Sequence, residues 1–189
     1  HQRRILSFLA RTVGRDPGSI PLGVDGCSVP LFRLSLYELA LAYSRLLGRR
    51  RPEWTAAEDG ARRKVAAAMA AAPEMVAGTG RFTTRAMRAF GGALVAKEGA
   101  EAVYVMAASP RLAAAFGGAV GIALKVEDGG ERGRDVASVS ALAQLGLLDP
   151  RAAAALRRDA TKPVLSVRGE RVGTIRPVFR LERWGAAGR

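Results

Sequence analysis

Ala102-Val-Tyr-Val-Met-Ala-Ala108 and, further on, Val120-Gly-Ile-Ala-Leu-Lys-Val126 are short apolar runs in a chain otherwise patterned for helix. Runs of this length, rich in Val, Ile and Tyr and closed by turn residues, read as strands. Phe116-Gly117-Gly118 supplies the turn between them. A loop this short makes antiparallel pairing the simplest arrangement. The fold turns on this change of period.

Upstream of these strands the pattern is helical. Ile5, Leu6, Phe8, Leu9 and Val13 give the first dozen residues an apolar stripe. Gly14 to Pro30 is punctuated by proline and glycine, so it reads as loop with a short extended piece around Ile20 to Val24. Ser35-Leu-Tyr-Glu38 and Thr55-Ala-Ala-Glu58 are capping boxes, each opening a helix. On the first, Leu36, Leu39, Ala40, Tyr43 and Leu47 share a face; the second runs to about Ala72 and is ended by Pro73. A short helix around Thr84 to Phe90 follows. Beyond the strands, helices are expected at 131–146 and 150–159, the latter with Asp149 as N-cap and Pro150 at its first position. Val164 to Val167, the turn Arg168 to Arg171, and Val172 to Leu181 read as a terminal hairpin. Helices followed by a ββααββ order give an α+β chain.

At 189 residues and 49% hydrophobic, the chain suits one domain or one large piece of a domain. It holds no apolar run long enough to span a membrane. His1-Gln2-Arg3-Arg4 lacks both an initiator Met and the pattern of a signal peptide, which implies a trimmed start. The net charge of +13 raises nucleic-acid binding, but arginine is scattered through every segment and only four of the 30 basic residues are lysine. Richness in Arg, Ala, Gly and Pro together is what GC-biased codon usage produces. Nucleic acid is therefore not the expected partner. Cys27 is the sole cysteine, which excludes an internal disulfide and agrees with a cytoplasmic setting. With His1 as the sole histidine, a self-contained Cys/His zinc site is excluded too.

Two places could carry chemistry. Asp25-Gly26-Cys27 sets a carboxylate and a soft thiol two apart on a turn. The pair could meet a substrate amine and a metal. Spacing alone favours the plainer reading, a loop aspartate serving turn amides beside a half-buried free thiol. Lys97, just ahead of the first strand, can lose a proton where arginine cannot. A lysine kept in an arginine-dominated chain hints that this matters, whereas Lys125 and Lys162 read as ordinary solvated groups.

Six segments resemble, in order, those of the serine-dependent bacterial L-asparaginases, the rhizobial inducible type known as asparaginase II. Gly23-Val-Asp-Gly-Cys-Ser-Val-Pro30 is similar to G-x-D-G-C-x-x-P, and Tyr37 to Tyr43 to the L-A-x-x-Y helix. Met75-Val-Ala-Gly-Thr-Gly-Arg-Phe82 resembles V-A-G-x-x-R-F, and Lys97-Glu-Gly-Ala-Glu101 resembles K-x-G-A-E-G. Gly121-Ile-Ala-Leu-Lys-Val-Glu-Asp-Gly129 resembles G-I-A-L-K-I-x-D-G, and Arg168 to Arg176 resembles R-G-x-x-V-G-x-I-R. The departure is Ala102, where the family has Gly; crowding of the strand beside Lys97 is the expected effect.

The resemblance implies a fold like that of serine β-lactamases and glutaminases, and hydrolysis of L-asparagine to L-aspartate and ammonia through a Ser/Lys acyl-enzyme. It maps Lys97 onto the catalytic lysine, Asp25 onto the carboxylate for the substrate amine, and Cys27 onto a zinc ligand. It also implies a homodimer. The family's serine segments, R-S-x-x-K-P and A-S-H-x-G-E, and its C-S-G-K-H segment do not occur here. Residues 1–189 are thus expected to be the C-terminal portion of a single asparaginase domain, with an incomplete zinc set. The rival readings are an inactive relic or interaction domain and a basic nucleic-acid-binding module.

Overall fold

The computed structural model describes residues 1–183. Helix α1 spans Gln2–Val13 and stops at Gly14, whose φ of 78° suits glycine at a left-handed cap. Strands β1 (Leu22–Val24) and β2 (Pro30–Phe32) form an antiparallel ribbon, Gly23 opposite Leu31. Both expected capping boxes are present. Ser35 opens α2 (Leu36–Leu47) and Thr55 opens α3 (Ala56–Ala71), each with reciprocal bonds to the glutamate three residues on.

Pro73 was expected only to stop α3, yet it also starts α4 (Pro73–Ala77). A proline lacks the N–H that a first helical position cannot use, and its φ is already helical. Helix α5 covers Phe82–Ala89. Next comes β3, Leu94–Glu98, which sequence patterning missed because Ala93-Leu-Val-Ala-Lys is short and does not alternate. Strands β4 (Val103–Ala108) and β5 (Val120–Lys125) lie where expected and pair antiparallel, Tyr104 opposite Leu124. The sheet order is β3-β4-β5, so among the described residues β3 is an edge strand.

Helices α6 (Glu131–Gln144) and α7 (Pro150–Ala155) follow, α7 capped by the Asp149 carboxylate. The expected 150–159 helix breaks after Ala155 into a 3-10 turn at Arg157–Asp159. The closing hairpin pairs β6 (Lys162–Leu165) with β7 (Arg171–Ile175). Its second strand ends before Pro177, short of the expected Leu181, since proline cannot donate to a ladder.

Period-two alternation gives the sheet two faces. Leu94, Ala96, Tyr104 and Met106 look toward α5, α6 and α7, forming a core with Phe82, Met87, Leu142 and Leu156. Phe82 and Tyr104 rings lie 5.7 Å apart. On the other face α2 presses on β5 so closely that a Cβ at Gly121 would stand 1.8 Å from the Ala40 carbonyl oxygen. Leu36, expected on the inner face of α2, is exposed. The β1–β2 ribbon leaves Leu22, Val24 and Leu31 exposed as well. Among the described residues no helix is long and apolar enough to cross a membrane.

The turn from β3 to β4 carries Glu101 (φ 57°) and Ala102 (φ 53°) in left-handed conformation. Ala102 is also buried, and the cost the structure shows at this departure from the family's glycine is backbone strain. A non-glycine residue held there costs on the order of 1 kcal/mol or more.

Candidate functional site

Lys97 lies within β3, opposite Val105, rather than just ahead of a strand as the sequence suggested. Its neighbours Leu94, Val95 and Ala96 are fully buried, while Lys97 itself is exposed. Its ammonium donates to the Glu98 carbonyl oxygen at 2.7 Å. Among the described residues no serine hydroxyl is hydrogen-bonded to it. The geometry offers a solvent-exposed amine on β3.

Glu98 points to the opposite face and is gripped from α6 and from the residue ahead of α5. Arg134 of α6 donates to one carboxylate oxygen at 2.8 Å, and Arg81, just ahead of α5, reaches the other at 3.5 Å. Arg81 also bonds Glu131 at 2.6 Å. Arg134 is 2% exposed, and its guanidinium sits 5.4 Å over the Tyr104 ring. It forks onto Asp135 with bonds of 2.9 and 2.8 Å. Burial works against its charge, but Asp135, Glu131 and Glu98 outweigh that and leave its pKa raised. Asp135 in turn pairs with Lys162 of β6. Burial likewise pushes the Tyr104 phenol upward.

Lys162 is thus a member of an ion-pair network, contrary to its solvated reading. The network itself was missed, and Lys162's rarity as one of four lysines was the one signal that could have found it. Lys125 is exposed, as expected.

Asp25 and Cys27 sit on the turn of the β1–β2 ribbon. The Asp25 carboxylate accepts from the Gly26 amide at 2.7 Å and from the Cys27 thiol at 3.7 Å. It serves the turn and faces the thiol at once. Cys27 is exposed rather than half-buried. Strand β2 then returns the chain to Ser35 and α2.

No hydrogen bond or ion pair among the described residues joins this turn to Lys97. No group of three His, Cys, Asp or Glu that could hold a metal ion occurs among them either. Cys27 and Asp25 offer two donors where zinc takes four, so the residues present do not fit a zinc site by themselves.

The family described as L-asparaginase II matches residues 1–177, nearly the whole chain. The chain belongs to the L-asparaginase II family. No curated protein matches it.

Family membership points to a hydrolase acting on asparagine. The α+β arrangement of helices and small antiparallel sheets is compatible with an asparaginase. Its shared segments also acquire structural meaning. Met75 to Phe82 ends α4, turns, and delivers Arg81 to Glu98 and Phe82 to Tyr104. Gly121 is the point at which α2 touches β5. Arg168 to Glu170 lies in the turn of the β6–β7 hairpin.

Proposed function

We propose that the chain is the C-terminal portion of an asparaginase domain whose nucleophilic serine is supplied by sequence outside these 189 residues. The observation that carries this reading is the family match over residues 1–177. The exposure of Lys97, which leaves its amine open to a group from outside the chain, is compatible with it. In this proposal the serine Oγ attacks the side-chain amide carbon of asparagine. The Lys97 amine takes the serine proton and passes it to the departing ammonia. Water then attacks the acyl-enzyme and releases aspartate with the serine restored. Asp25 receives the substrate's ammonium. The proposal extends to a homodimeric bacterial enzyme acting in the cytoplasm. Exposed apolar side chains on the β1–β2 ribbon and the β6–β7 hairpin, among them Val24, Leu31, Leu165 and Val172, support a partner surface.

The 189-residue chain alone is expected to release no ammonia from asparagine above background. The same chain joined to the family's serine-bearing segments is expected to release it catalytically. An enzyme-like rate from the chain alone overturns the outside nucleophile. No ammonia from the joined protein overturns the asparaginase reading itself.

Zinc gives an independent check, with Cys27 contributing one ligand to a set completed outside this chain. Equilibrium dialysis of the chain alone is expected to show no tight zinc, because one thiolate and one carboxylate cannot close a tetrahedral site. In the joined protein Cys27→Ala is expected to lose the metal. Tight stoichiometric zinc in the isolated chain contradicts this ligand assignment.

A further inference from the structure

We infer that Arg134, acting through Glu98, is a positioning residue for Lys97, and that the β6–β7 hairpin shares in this through Lys162. The inference rests on the proposed role of Lys97. Among the described residues β3 is an edge strand, held by backbone bonds to β4 on one side and by no strand on the other. An edge of this kind is the least constrained part of a sheet, and a catalytic amine needs its place fixed to within fractions of an ångström.

The Lys97 ammonium takes its place from the Glu98 carbonyl oxygen, at 2.7 Å. The Glu98 side chain leaves the opposite face of the same residue, and both of its oxygens are held, by Arg134 at 2.8 Å and Arg81 at 3.5 Å. Gripping that side chain therefore orients the peptide group that the ammonium follows. Arg134 cannot drift, because Asp135 takes two of its donors, the Tyr104 ring lies beneath it, and it is nearly sealed from solvent. Asp135 passes the constraint on to Lys162 at the start of β6. A connected run of charge-assisted bonds thus reaches from the closing hairpin to the residue beside Lys97.

The grip is also specific in shape. A guanidinium can fork onto Asp135 and still reach Glu98; an ammonium is a point charge and cannot do both. Arg134→Lys keeps the charge and removes the fork. Glu98→Gln keeps the shape and removes the charge.

The test measures kcat, KM and thermal midpoint for Arg134→Lys, Glu98→Gln and Lys162→Met in the joined, active enzyme. Amide hydrogen exchange at Val95 and Lys97 is followed in the 189-residue chain carrying the same changes. A misplaced catalytic group costs up to about 100-fold, so kcat is expected to fall roughly 10–100-fold in the first two variants with KM nearly unchanged. Lys162→Met is expected to lose less, in the same direction. Exchange is expected to quicken in β3 and not in β4. A fall in thermal midpoint with kcat intact makes the network purely structural and overturns the inference, as does uniform quickening across the sheet. If one variant does not fold, the other decides. Lys97→Arg is assayed alongside: if it keeps full kcat, the role of Lys97 fails and the inference falls with it. If Lys97→Arg is inactive while Arg134→Lys and Glu98→Gln are normal, only the inference fails.

Discussion

Replacing Lys97 with arginine in the joined, active enzyme is expected to lower kcat by about 10²–10⁴-fold, the usual cost of losing a general base. A serine hydroxyl is a poor nucleophile until something accepts its proton. A neutral amine can do so, whereas a guanidinium stays protonated throughout the working range. Arginine keeps the positive charge and much of the reach, so any purely electrostatic role survives the change. KM for asparagine is therefore expected to move little. Measuring kcat against pH separates the two roles, because only a titrating base gives a limb that disappears with the substitution. Near-normal kcat with an unchanged pH profile would falsify the assignment of Lys97 and leave it as a solvated lysine on a strand edge.

Gly121→Ala in the 189-residue chain is expected to be strongly destabilising, by about 3 kcal/mol, at the upper end of what an inserted carbon costs in a packed core. The added methyl would stand 1.8 Å from the Ala40 carbonyl oxygen and 2.9 Å from the Ser44 amide nitrogen, all of them main-chain atoms of α2. Backbone cannot step aside by a rotamer change, so helix and strand must separate. For a chain of this size the loss is worth roughly 6–12 °C in Tm. Gly118→Ala is the control, since a Cβ there meets nothing within 4 Å and its φ is not positive. Unfolding free energies from urea titration of the two variants within about 0.5 kcal/mol of each other would show that α2 does not seat on β5 through Gly121.

Most of the framework could be read from local chemistry. The capping boxes at Ser35 and Thr55, Gly14 after α1 and Asp149-Pro150 before α7 each act within a few residues of themselves, so the sequence displays them directly. Strand β3 could not be read this way. Ala93 to Lys97 is strand only because Val105 and its neighbours pair with it, and that pairing is tertiary. The same limit hid the grip on Glu98, whose partners lie on α6 and ahead of α5. Lys97, Asp25 and Cys27 were singled out by residue type and by resemblance. Their surroundings had to come from the fold: the thiol turned out exposed, Lys162 paired, and Ala102 strained at its own backbone.

The arginine-built clamp has one more consequence. Guanidinium groups keep their charge at any pH at which a protein survives, and a lysine frame would begin to let go in mild alkali. Apart from Lys162, the cations around Glu98 and Asp135 are arginines, and the carboxylates around Arg81 and Arg134 make those two harder still to deprotonate. The arginine part of the scaffold is therefore held by charges that alkali does not remove. An enzyme built on such a clamp would keep its hold on β3 across any alkaline pH at which its activity is assayed.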